Sequence, residues 1–287
     1  MRILNRKILI NPTIKISQTN NYLKYRRANV NLKIPLNGLE LGIPLNIFQN
    51  IFTNLHYGYD ITTIKSAGLQ FLLGYYIYGK DRYNDAEEYI NFPYETKKED
   101  FYKLIYENKE FYSYTFNLAF SVIIIILLNE NINSNIVYNI PFIPLTYING
   151  EYKNFKQKLG VFKPLYIGCA WTISSIILPS VLYEHNYDIL NSPIDYLPCI
   201  LILFSSSNFA DSKDIEEDRL KNINTIPVKY GKNISNIISF IGLAISSILL
   251  IENINYENRL LINSFIELQN FGIMYLIYNN TFYNDTF

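Results

Sequence analysis

Eight apolar runs punctuate this 287-residue chain: residues 41–55, 61–79, 112–128, 137–148, 164–183, 196–210, 234–251 and 260–278. A helix that crosses a bilayer needs about 20 largely apolar residues, and most of these runs approach that length. Run length and spacing predict an all-α fold, a multi-span transmembrane helical bundle of about eight helices. Residues 137–148 form the shortest run and carry Pro141 and Pro144, while residues 41–55 make a weaker first span. Asn, Lys and Tyr recur in runs and loops alike, so mean hydropathy is only slightly positive although 49% of residues are hydrophobic. That bias reads as coding from an AT-rich genome.

Charge gives the runs a direction. With the connection after the second run placed on one side, that side receives residues 79–110, 151–163 and 211–232, with six, four and five Lys and Arg. The opposite connections, 129–135, 184–195 and 252–258, carry none. Such sorting is the positive-inside pattern, and it predicts a multi-pass integral membrane protein with its basic side facing the cytoplasm or the organellar equivalent. Residues 1–38 hold eight basic residues and no Asp or Glu, as in a membrane-facing arm or an organelle transit segment. The expected organisation is therefore a basic arm over 1–38 and one membrane domain over 39–287. Zero net charge argues against a nucleic-acid partner, and membrane lipids are the expected surroundings. Cys169 and Cys199 lie in apolar runs and read as buried small hydrophobes.

Two acidic clusters fall at run ends on the basic side. Asp211, Asp214 and Asp218 follow the run over 196–210; at 100° per residue they lie within about 60° of one another on a helix. Asp81, Asp85 and Glu88 stand at i, i+4 and i+7, again one helical face. Grouped carboxylates repel unless a cation neutralises them. Hard oxygen ligands in this arrangement suit Mg²⁺ completed by substrate phosphates. Either cluster alone is also what a solvated helix start looks like.

Between the clusters lies Tyr147-Ile-Asn-Gly-Glu-Tyr-Lys153-Asn-Phe-Lys156-Gln-Lys-Leu-Gly-Val-Phe-Lys163. Lys153, Lys156, Lys163 and Arg82 are the candidate phosphate partners, one or two of them sufficing. Tyr78 and Tyr147 join them as substrate-contacting aromatics, among Phe71, Tyr75, Tyr76, Phe204, Phe209 and Trp171 as lining or core. Asn208, one turn before Asp211, either binds substrate or joins a helix–helix contact.

The stretch Asp211-Ser-Lys-Asp214-Ile-Glu-Glu-Asp218-Arg219, continued by Thr225-Ile-Pro227-Val-Lys-Tyr-Gly231, resembles the second aspartate-rich motif of the UbiA-type intramembrane prenyltransferases. The first motif departs from that family: with Asp81 and Asp85 as its last two aspartates, the register favoured because Asp81 directly follows the run, Tyr78 stands in the place of the first, and the alternative register, Asn84-Asp85 with Glu88, leaves Phe92 in the place of the last. The resemblance implies an all-α bundle of eight to nine helices with both clusters at helix ends on one membrane face. It implies a transferase with Mg²⁺ held by Asp81, Asp85, Glu88, Asp211, Asp214 and Asp218. The carbon–oxygen bond of a prenyl diphosphate would break with Mg²⁺ neutralising the leaving pyrophosphate and Lys156 and its basic neighbours stabilising its charge, and a lipophilic or aromatic acceptor would capture the allylic cation. A catalytically silent isoprenoid-lipid-binding protein of the same fold is the alternative, favoured by Tyr78. The acceptor, the prenyl length and the compartment stay open.

Overall fold

The computed structural model describes residues 39–57, 64–91, 93, 99–129, 139–183, 188–191, 193–252 and 259–282, and the basic arm lies outside them. Every long element described is helical: α1 (Leu39–Tyr57), α2 (Ile64–Asn91), α3 (Glu99–Glu107), α4 (Lys109–Asn129), α5 (Phe142–Gly150), α6 (Lys153–Leu159), α7 (Lys163–Thr172), α8 (Leu178–Tyr183), α9 (Pro193–Asp211), α10 (Ile215–Leu220), α11 (Ile226–Tyr230), α12 (Lys232–Glu252) and α13 (Arg259–Phe282). A π-helical turn, Ile173–Ile177, joins α7 to α8. It stands just before Pro179, whose ring crowds the carbonyl four residues back and has no N–H to give; a wider turn there accommodates both.

Residues 37–287 form one unit. Helix α9 is its axis, packed on α7 and on α12, while α2 packs on α1, α3 and α4; α12 continues to α13, which returns to α1. Burial of Phe52, Leu69, Leu73, Ile123, Leu178, Leu182 and Leu243 supplies the apolar interior, with each large side chain contributing about 1.5–3 kcal/mol. Gly168 lets α7 approach α9 closely, because a Cβ there would stand 2.8 Å from the Ile200 carbonyl oxygen.

Polar side chains inside the bundle are tied across helices. Asn208 Nδ2 donates to the Ser235 carbonyl and to Ser239 Oγ, both at 2.8 Å, joining α9 to α12. Asn236 donates to Thr281 Oγ1 at 2.8 Å and Asn270 to Ser247 Oγ at 3.1 Å, joining α12 to α13. Gln70 Nε2 donates to the Ser174 carbonyl at 2.9 Å, tying α2 to the π turn. Each such bond is worth about 1 kcal/mol net, and more is lost if one partner is orphaned.

The expected eight- to nine-span transmembrane bundle is overturned. Among the described residues three helical stretches are long and apolar enough to cross a membrane: Lys109–Asn129, Lys153–Tyr183 and Lys232–Ile251. The other runs fail for visible reasons. Helix α2 carries Lys65 and Gln70 within its apolar run and then Lys80, Asp81, Arg82, Asp85, Glu87 and Glu88; α9 carries Ser205-Ser-Ser-Asn208 in its last two turns; α13 carries Glu267, Gln269 and Asn270; and α5 has only nine residues. The multi-pass membrane location inferred from charge sorting falls with the span count. Several of the lysines counted in that sorting are ion-paired within the fold: Lys153 to Asp85 and Glu88, Lys163 to Asp211, Lys221 to Glu217 and Lys80 to Glu151.

Candidate functional site

The segment from Lys153 to Lys163 serves both acidic clusters. Helix α6 presents Lys153 and Lys156 to α2, and Gly160 then turns the chain. Its φ of 51° is open to glycine and strained for other residues, and a Cβ would stand 3.3 Å from the Asn224 carbonyl oxygen. After the turn, Lys163 opens α7 next to Pro164, which suits a first helical turn. Lys163 Nζ donates to Asp211 Oδ1 at 2.6 Å and stands 3.9 Å from Asp218 Oδ2.

On α2, Asp85 is met by three ammonium groups. Lys153 bonds it directly, Lys156 lies at 3.2 Å and Lys221, which caps the C-terminal end of α10, at 3.8 Å. Burial works to raise the Asp85 pKa, but Lys156, Lys153 and Lys221 outweigh it and hold the carboxyl well below its usual range. Asp81 is one turn back and less well served: Lys156 Nζ is 4.0 Å from Asp81 Oδ1, beyond hydrogen-bond reach. Burial raises its pKa, with Asp85 adding to the shift.

The second cluster is not one continuous helix. Helix α9 ends at Asp211, residues 212–214 turn, and Asp214 precedes α10 as its cap residue, exposed to solvent. Ser212 Oγ reaches Asn236 Oδ1 at 3.2 Å and Ser235 Oγ at 3.3 Å, which anchors the turn to α12. Asp218 returns to Asp211 through Lys163, and Thr225 Oγ1 donates to Asp218 Oδ2 at 3.2 Å. Burial pushes the Asp211 carboxyl up to about 6; Lys163 opposes the shift, while Asp218 and Asp214 reinforce it.

Both clusters border one cavity of about 440 Å³. Of the residues singled out in the sequence, Asp81, Arg82, Asp85, Lys156, Lys163, Asp211, Asp214, Asp218, Tyr78 and Trp171 line it. Tyr78 receives a hydrogen bond from Arg82 and lies beneath its guanidinium at 4.6 Å, so it positions that cation. The aromatics Phe71, Tyr75, Tyr76, Phe204 and Phe209 do not line it, and neither do four of the other candidates. Asn208 is committed to α12, Lys153 and Glu88 bond behind Asp85, and Tyr147 is half-exposed beside Phe120.

Lining residues the sequence did not single out include Tyr152, Tyr166, Lys221 and Glu217. The Tyr152 and Tyr166 rings stack at 5.6 Å, and Tyr166 donates to Asn149 Oδ1. Burial raises the Tyr152 phenol strongly, with Asp211, Asp81 and Asp218 adding to the shift. Ile77, Ile167, Ala170 and Trp171 give the cavity an apolar wall.

No family model, curated protein or solved structure matches the chain. The UbiA-type resemblance is therefore corrected: it rests on about twenty residues that the structure folds into a broken helix, and three stretches among the described residues are of span length rather than eight or nine. The implied Mg²⁺ site does not fit either. Among the described residues no group of three or more His, Cys, Asp or Glu is arranged to hold a metal. Lysine ammonium groups occupy the places where a bridging cation would neutralise Asp85 and Asp211. Mg²⁺-dependent prenyl transfer, the transferase assignment and the silent lipid-binding relative of that fold are all set aside.

Proposed function

We propose that the chain is a small-molecule-binding protein whose cavity takes an amphipathic ligand. The observation that carries this reading is the division of one cavity into a charged end, with Asp81, Asp211 and Lys163, and an apolar wall formed by Ile77, Ile167, Ala170 and Trp171. A cavity of about 440 Å³ falls within the usual span of small-ligand sites, about 300–1,000 Å³, which pair apolar walls with a few converging polar groups. The polar groups here are set by helix packing and ion pairs, so little order would be lost on binding.

The test is a melting-temperature survey of the full chain with small amphipaths of matched apolar body and varied polar end, with Mg²⁺ alone as a separate arm. A ligand that binds the folded state raises the melting temperature with concentration. Ala170→Phe, which fills the apolar wall, should remove that rise while the chain stays folded. A rise unchanged in the Phe variant, or no rise with any amphipath, overturns the reading.

A further inference from the structure

We infer that the polar end of this cavity receives a cationic, hydrogen-bond-donating head group, of the primary ammonium class, held between Asp81 and Asp211. The inference deepens the amphipath-binding reading and rests on it. Three observations point the same way. The first is the set of polar atoms left over: Asp211 Oδ2, Asp81 Oδ1 and the Tyr152 hydroxyl are buried and have no hydrogen-bond partner among the described residues. Asp211 is only 5% exposed, and a buried carboxylate oxygen without a donor costs about 1–3 kcal/mol or more. Two of these three atoms can only accept when ionised, so the missing group is a donor.

The second observation is charge. Six carboxylates line the cavity (Asp81, Asp85, Asp211, Asp214, Glu217 and Asp218) against four cations, Arg82, Lys156, Lys163 and Lys221. Lys153 and Glu88, just behind, add one of each sign and leave the acidic excess unchanged. An anionic head would enlarge that excess, whereas an ammonium reduces it. The third is that the site already accommodates this chemistry. Lys163 Nζ sits between Asp211 Oδ1 and Asp218 Oδ2 at 2.6 and 3.9 Å, an ammonium between carboxylates supplied by the chain itself. A ligand ammonium would repeat that arrangement on the outer oxygen of Asp211, with the stacked Tyr152 and Tyr166 rings beside it.

Calorimetric titration of the full chain at neutral pH with n-octylamine, n-octanol and n-octyl phosphate separates head from tail. The amine should bind roughly tenfold or more tightly than the alcohol, as one charge-assisted hydrogen bond would give, and the phosphate should bind weakest. Asp211→Asn and Asp81→Asn should each reduce the amine's advantage while the alcohol's affinity is kept, with circular dichroism confirming that both variants are folded. Equal affinity for amine and alcohol, or preference for the phosphate, overturns the ammonium assignment and leaves the cavity reading intact. Binding of none of the three overturns both. Heat from MgCl₂ alone that disappears in Asp211→Asn, without amine binding, reassigns the acceptors to a metal ion and also overturns the proposal.

Discussion

Lys163 satisfies one oxygen of Asp211, donating to Oδ1 at 2.6 Å, and leaves Oδ2 buried without a partner among the described residues. Asp85, across the cavity, is held by three lysines. Two buried aspartates in one site therefore have opposite electrostatics, and the molecule's pH response follows from that difference.

For Asp211 the folded-state pKa is raised from 3.8 to about 6. A raised carboxyl contributes stability that is fully present below its unfolded value and is lost as pH rises through the folded one. Wild-type protein should thus lose on the order of 3 kcal/mol from this group between about pH 4 and pH 7. Asp211→Asn should flatten that part of the melting-temperature profile, and a slope identical to wild type would contradict the assignment.

Asp85 behaves in reverse. Its pKa is lowered, so its contribution is present above the usual carboxylate range and disappears as pH falls below it. Asp85→Asn at neutral pH leaves Lys153, Lys156 and Lys221 close together with their shared anion gone, and should cost about 3–5 kcal/mol in denaturant unfolding. Coupling Asp85→Asn with Lys156→Met should recover part of that loss, because a buried cation that has lost its nearest anion is removed.

Gly160 lets a single segment supply lysines to both clusters. Gly160→Ala forces a Cβ into a backbone region that L-residues avoid and should cost about 1–3 kcal/mol. Chemical denaturation of the variant measures it directly, and an unchanged midpoint would show that the turn relaxes freely.

Asn208 is a bundle tie and stands apart from ligand. Its amide is spent on Ser235 and Ser239, so Asn208→Ala should lower stability by about 1–3 kcal/mol while amphipath affinity stays within a factor of two or so of wild type. Loss of binding in a folded variant would return it to the site.

The sequence is informative where the signal lies within one helix. The apolar run over 234–251 overlaps helix α12, and the i, i+4, i+7 spacing of Asp81, Asp85 and Glu88 brings all three to the lysines of α6. It misleads where neighbours decide. Nothing in the periodicity around Asp211 shows that Ser212 will bond α12 and break the helix before Asp214. Ion pairs between residues 71 or 48 positions apart, Lys156 with Asp85 and Lys163 with Asp211, leave no trace in local spacing. For that reason paired lysines passed for topological signals, and carboxylates neutralised by lysine passed for a metal site. No local pattern marks Tyr152, and only the fold brings it to the cavity wall with Asp81 and Asp211.

Trp171 is the chain's single tryptophan and lines the cavity, so its emission reports occupancy of the apolar wall without any label. Titration with n-octylamine should shift Trp171 emission to the blue and saturate, with the shift absent in folded Ala170→Phe. An emission spectrum that does not move, or that moves equally in the Phe variant, contradicts ligand binding in this cavity.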